Sequence, residues 1–307
     1  MHRSGTSLVA GALRFLGVSL GDPERMMRPG PDNPAGYYEL QSMMEFNDSL
    51  LAHLDGAWDQ PPVLDPGWEQ DPSLDAYRER ASSILDETFG CSAERPSHIA
   101  WKDPRLSLLL PFWKTITPIS TTIVLVRDPR EVAVSLAARR YSVGAPQAAS
   151  LWLRYLFAAT ANDRGHLIVR HGDCFDDLFG TLVAIAAHVG LPYPDAQVEA
   201  SVRAHLDPSL RHHVAGSLPQ EADNPLMELA TAIWNDGALD LDFVAPVVGD
   251  GIARGWFRPP LDGELLARAR ADVVRLRETV RRQNRQLSDG IKPPEPVEKA
   301  NGEPLDG

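Results

Sequence analysis

Cysteine is nearly absent. Only Cys91 and Cys174 occur in 307 residues, too few for a disulfide framework, which makes a reducing compartment and two buried, inert thiols the expectation. Long apolar runs are missing as well. A bilayer span needs about 18–20 consecutive apolar residues; the longest candidate, FGTLVAIAAHVGL, is short, holds His188 and reads as a buried helix. The opening residues show no charged-then-apolar leader pattern, so the expected location is cytoplasmic, with no membrane span. Positive charge is in deficit too: 30 Lys and Arg against 42 Asp and Glu leave a net charge of −12. That balance argues against general affinity for nucleic acid or an anionic membrane. Any anion site must therefore be a local gathering of arginine and lysine. His212 and His213 lack the spacing of further ligands, so no metal is expected, and no repeat of solenoid period is present.

What is there is an ordinary globular balance, 43% hydrophobic and 23% charged residues, with enough chain to bury a sizeable core. The opening stretch, MHRSGTSLVAGAL, sets the first question. After Arg3-Ser4-Gly5-Thr6-Ser7 the apolar Leu8, Val9, Ala12, Leu13 and Leu16 recur at helical spacing and predict a helix over 6–16. A small, hydroxyl-rich turn at a helix N-terminus gathers unpaired N–H groups and the positive end of the helix dipole, a geometry that holds phosphate or sulfate. A buried strand normally delivers the chain to such a turn. The expectation is that residues upstream of Met1 supply it, the alternative being a gapped sheet.

Two similar modules lie further on. SHIAWKDPRLSLLLPFW predicts a short strand, Asp103 as N-cap, Pro104 at the first helical position and a helix. TTIVLVRDPREVAVSLAARR repeats the plan. TTIVLV suits a strand buried on both faces, Asp128 caps, Pro129 opens the helix, and Glu131 stands where a capping box requires it. Each module sets a cation, Lys102 or Arg127, at the carboxyl end of a strand beside a helix N-terminus. In open parallel α/β sheets ligands bind at that edge.

Further helices are predicted over LQSMMEFNDSLLAHL, 73–89, QAASLWLRYLFAAT, FDDLFGTLVAIAAHVGL and LMELATAIWND, and a further strand over HLIVRH. Alternating strands and helices predict a parallel sheet covered by helices. The loop LGDPERMMRPGPDNPAGYYE is too long for a plain connector, which points to function. The Pro/Trp-rich stretch from Trp58 to Trp68 either lines an acceptor cleft or packs on the surface. Leu266, Ala269, Val273, Leu276, Val280, Gln283 and Leu287 step alternately by three and four, a heptad seam on a helix over 264–287 suited to self-association or docking on the body. The predicted organisation is an α/β body over 1–260, an amphipathic helix over 261–288 and a disordered tail over 289–307.

The opening turn is not a Walker A loop, because Thr6 rather than Lys follows Gly5 and the cation precedes it as Arg3. HRSGTS, KDPR and LVRDPREVAVSL instead resemble the three signatures of the sulfotransferases that use 3′-phosphoadenosine 5′-phosphosulfate (PAPS), most like bacterial members and the protein-tyrosine branch, over roughly residues 1–190. The resemblance implies a P-loop-like three-layer α/β/α sandwich with a central parallel sheet, whose first strand is missing from this chain, and chemistry without a metal. It implies that Arg3, Ser4, Gly5, Thr6 and Ser7 grip the 5′-phosphosulfate, that Arg127 and Ser135 hold the 3′-phosphate, and that Lys102 stands near the transferred group. The expected activity is sulfuryl transfer from PAPS to a hydroxyl of a carbohydrate, small molecule or protein side chain, with Arg3, Lys102 and Glu39 as the catalytic set.

Glu39, at the end of DNPAGYYE, is the first choice for the base, with His2 and Asp103 as rivals. Two other classes stay open: another P-loop nucleotide-dependent transferase or kinase, and an inactive nucleotide-binding or assembly protein. Trp101, Trp113 and Trp152 are expected in the core, and Arg154 and Arg170 are expected to pair with surface carboxylates.

Overall fold

The β-branched runs TTIVLV and HLIVRH form the two strands. In the computed structural model β1 (Ile123–Val126) pairs in parallel with β2 (Leu167–Arg170), from Ile123↔Leu167 to Val126↔Arg170. The structure describes residues 1–30, 33–34, 36–90, 97–138, 143–163, 165–205 and 224–235. The helices are α1 (Thr6–Leu13), α2 (Gln41–His53), α3 (Asp75–Leu85), α4 (Leu106–Lys114), α5 (Pro129–Ala137), α6 (Ala145–Ala161), α7 (His171–Asp176), α8 (Leu178–Val189), α9 (Ala196–His205) and α10 (Pro225–Asn235). The chain is therefore α/β, as expected. Cys91, His212, His213, the heptad helix over 264–287 and the tail over 289–307 lie outside the described residues.

Strand periodicity divides the core. Val126 joins a cluster with Leu109, Phe112, Trp113 and Trp152, whereas Leu125 joins Val9, Leu182, Ile185 and Val169 in a second cluster. Successive side chains of a strand point to opposite faces, so helices pack on both sides of the pair. One cluster draws on α2, α4, α6 and α10, the other on α1 and α8. Trp113 and Trp152 are fully buried, and Trp101 packs half-buried on the same cluster. Cys174 is buried, and its thiol is pushed up to about 12, chiefly by that burial, which leaves it unreactive.

Several sequence expectations need correction. SHIAW does not form a full strand. It makes one parallel bridge, Ser19↔Ile99, with Ser19 N–H donating to His98 O at 3.0 Å and Ala100 N–H to Ser19 O at 2.9 Å. Its partner segment is confined between Gly17 (φ 76°) and Gly21 (φ 90°), whose left-handed turns stop the ladder from extending. β1 is buried on both faces only at Leu125 and Val126; Ile123 and Val124 are half-buried along a cavity of about 380 Å³ shared with Val9, Leu13, Trp101 and Leu110.

Helix α4 starts at Leu106, two residues late, and Asp103 caps the preceding turn by accepting from Arg105 N–H at 2.8 Å. Asp128 does cap α5, accepting from Arg130 N–H at 2.9 Å with Pro129 in the first turn. Glu131 does not close a capping box: it accepts from Arg127 Nε at 2.8 Å, since a guanidinium one turn away outcompetes a backbone N–H. The helix over FDDLFGTLVAIAAHVGL is two helices, broken at Asp177 (φ −153°, ψ 86°), whose carboxylate caps α8 through Gly180 N–H at 2.9 Å. α8 is amphipathic, not fully buried: Leu182, Ile185 and Ala186 are inside and His188 is exposed. Among the described residues no helix is long and apolar enough to cross a membrane.

The Asp177 cap yields a stability prediction. Asp177→Ala should cost about 1 kcal/mol in urea unfolding by freeing a helix N-terminal N–H. An unchanged midpoint would contradict the assignment of the break to this cap.

Candidate functional site

Gly5 fixes the turn that opens the chain. It sits at φ 82° as N-cap of α1, and its carbonyl accepts from Leu8 N–H at 3.1 Å and Val9 N–H at 3.4 Å. A side chain is barred there twice over: the conformation is left-handed, and a Cβ would stand 2.3 Å from Cδ2 of the buried His171 ring. Arg3 (φ 65°) and Tyr38 (φ 54°) are two of the three described non-glycine residues in the left-handed region, and Asp55 is the third. Strained backbone persists only where the surroundings over-determine it, and it gathers at functional sites. Within the turn, Ser4 is buried and its hydroxyl has no hydrogen-bond partner, an unusual state for an inside polar atom. Thr6 is half-buried and lines the cavity beside β1.

The turn is held from both sides by residues the sequence singled out. On one side Arg3 Nε donates to Ser135 Oγ at 2.8 Å, and Arg127 donates from Nη1 to Arg3 O at 3.2 Å while its Nε meets Glu131. On the other side Ser7 Oγ accepts from Asn33 Nδ2 at 3.0 Å and Lys102 Nζ at 3.3 Å and donates to the Tyr37 carbonyl. Lys102 also donates to Tyr37 O at 3.0 Å and pairs with the Glu39 carboxylate. The turn, Lys102, Glu39, Arg127 and Ser135 thus belong to one connected cluster. Each reaches it for a readable reason: Arg127 ends β1, Ser135 lies on α5 two turns later, Lys102 follows the Ile99 bridge, and Glu39 ends the long loop where Met27 N–H bonds its carbonyl at 2.8 Å.

Electrostatics single out Glu39. Its side chain is 9% exposed, and burial raises its pKa above the usual carboxylate range, against the pull of Lys102. A carboxylate of raised proton affinity beside a cation suits proton abstraction near neutral pH. The rivals stand in other surroundings. Asp103 accepts from Asn47 Nδ2 at 2.8 Å and from Arg105 N–H. His2 packs against Trp58, with ring centroids 4.7 Å apart and the planes tilted by 50°. The Trp58 loop is itself tied down, with Tyr155 donating to Trp58 O at 2.8 Å and Arg154 to Pro62 O at 2.8 Å. Arg154 is thus buried, not on the surface, because α6 turns it toward this loop; Arg170 lies 4.8 Å from the Trp234 ring centroid as a cation–π partner.

Sequence reasoning missed Asn33, Asn47, Arg105 and His171. Asn47 carried a signal: a polar residue among Met43, Phe46, Leu50 and Leu51 on the buried face of a helix needs partners, and it finds Asp103 and Trp113 Nε1 (2.9 Å). The His171 contact with Gly5 crosses 166 residues of sequence and left no local trace.

Gly5→Ala should be compared with Gly17→Ala. Gly17 has a similar φ of 76° but nothing within 4 Å of its would-be Cβ. Both should lose about 1 kcal/mol to the left-handed strain, and Gly5→Ala a further 1–3 kcal/mol or so to the His171 clash. Equal losses in chemical unfolding would contradict the close packing.

No protein-family profile matches the chain, and neither a curated protein nor a solved structure resembles it significantly.

Proposed function

We propose that the chain is a sulfotransferase that moves the sulfuryl group of PAPS to an acceptor hydroxyl, in a reducing, cytoplasmic compartment. The observation that carries the reading is the turn Arg3–Ser7, bonded on one side to Ser135 and Arg127 and on the other, through Ser7 Oγ, to Lys102, which in turn pairs with Glu39. Two anion-binding flanks on one turn match a donor phosphorylated at both ends of its ribose. The unpartnered Ser4 hydroxyl and the α1 N-terminus add donors for the 5′ end. Donor binding would replace the Arg3–Ser135 bond, leaving Arg3 for the phosphosulfate and Ser135 with Arg127 for the 3′-phosphate. The three-layer α/β/α sandwich belongs to the same proposal. What supports it is the packing of helices on both faces of the strand pair, α1 and α8 on one side and α4 and α6 on the other.

In the reaction the acceptor oxygen attacks sulfur while the bond from sulfur to the leaving phosphate oxygen breaks. The acceptor proton passes to Glu39, and the electron pair stays on the leaving oxygen. Group transfers of this kind run through loose, in-line transition states, so positioning and charge stabilisation carry the rate. Arg3, Lys102 and the turn N–H groups meet the growing charge, and each such contact is worth about 3 kcal/mol of barrier. Lys102 serves Glu39 in the resting site and the leaving oxygen in the reaction.

Calorimetry should show 3′,5′-adenosine bisphosphate binding more tightly than 5′-AMP, with Arg127→Ala abolishing the preference; equal affinities would overturn the donor assignment. Glu39→Gln should keep donor binding and lower turnover by roughly 10²–10⁴-fold, and full turnover would remove Glu39 as base.

A further inference from the structure

The Arg105 side chain stands behind Glu39 and takes no part in the proposed transfer. Its side chain is only 8% exposed. The fork of Nε and Nη2 is committed to the two oxygens of Asp48 on α2, the second bond being 3.0 Å. That leaves Nη1 to reach Asp103 Oδ1 at 3.1 Å and to lie 3.9 Å from Glu39 Oε2. Glu39 is therefore bracketed: Lys102 holds Oε1 and Arg105 faces Oε2. Asp103, the acidic neighbour of both, is itself fixed by Asn47, which Trp113 Nε1 holds in turn.

From this geometry we infer that Arg105 is a positioning residue, whose fixed charge, 3.9 Å from the second oxygen of Glu39, steadies the ionised carboxylate through space. The inference rests on the proposed role of Glu39 as base. A planar guanidinium anchored by a bidentate fork holds its charge at a fixed place, whereas a lysine on a flexible stem moves with its ligand. The two cations then divide the work. Lys102, on its flexible stem, is bonded to Ser7, Tyr37 and Glu39 at the turn, and Arg105 stands on its Asp48 mount. The charged groups facing Glu39 are Lys102, Asp103 and Arg105. Of these Arg105 alone combines positive charge with a fixed mount. Burial raises the pKa of Glu39 and Arg105 opposes that rise, so removing the guanidinium should raise it further.

The test is a pH titration of Glu39 by NMR in full-length protein carrying ¹³C-labelled glutamate carboxyls, the signal being assigned with Glu39→Gln. In Arg105→Met the midpoint should move up, and in Arg105→Lys, which restores a nearby cation, it should return most of the way. Arg105→Gln supplies the same comparison if the Met variant does not fold. An unchanged midpoint in a folded, uncharged variant overturns the inference and leaves Arg105 a mere tie between Asp48 and Asp103. The titration needs no donor, so the two proposals fail separately. A shifted midpoint without sulfuryl transfer would count against the reaction alone, and transfer whose acid limb ignores Arg105 would count against Arg105 alone.

Discussion

A single left-handed glycine governs the site. Because Gly5 turns at φ 82° with the His171 ring against its Cα, α1 starts at Thr6 and the three preceding residues curl across the ends of both strand modules. Apart from the Ser4 hydroxyl, the polar side chains of the cluster bond to the turn or to a neighbour of it. Arg127 takes the Arg3 carbonyl, Ser135 takes the Arg3 side chain, and Lys102 shares Ser7 with Asn33. A turn in another conformation would leave several buried donors and acceptors without partners, each costing about 1–3 kcal/mol.

The surrounding fold holds that arrangement from both sides. β1 and α5 are one continuous module, so Arg127, Asp128 and Ser135 hold fixed relations to each other, reinforced by Trp152 Nε1 donating to Arg127 O at 2.8 Å. The opposite flank is braced by a buried polar chain from Trp113 through Asn47 and Asp103 to Arg105 and Asp48. Such a network is stable only when nearly every member is satisfied. Its high stakes suit a site whose carboxylate must be held at one angle to a cation. The net charge of −12 makes this local cluster of cations the more distinct.

Much of this was legible beforehand, for identifiable reasons. TTIVLV, HLIVRH and QAASLWLRYLFAAT carry strong periodic signals and became β1, β2 and α6. The residues of the candidate site were readable because each sits at a punctuation point: a glycine turn, a strand end, an Asp-Pro helix start. What failed was less local. The Ile99 segment has strand-like residues, yet its length is set by the glycines flanking Ser19, far away in sequence. Glu131 matched a capping pattern that a nearer guanidinium overrode. Asp177 looked like one acidic residue inside a long helix, although its side chain serves better as a cap than as part of a turn. Arg105 went unassigned because its meaning depends on Asp48, Asp103 and Glu39, which come together only in the fold.

The central claim is that one turn binds a doubly phosphorylated nucleotide with both flanks at once. Amide hydrogen exchange with and without 3′,5′-adenosine bisphosphate tests it most directly. The account predicts joint slowing of exchange at residues 3–9 and 127–136, with the same dependence on ligand concentration. Protection of one segment without the other, or of a distant surface alone, would contradict it.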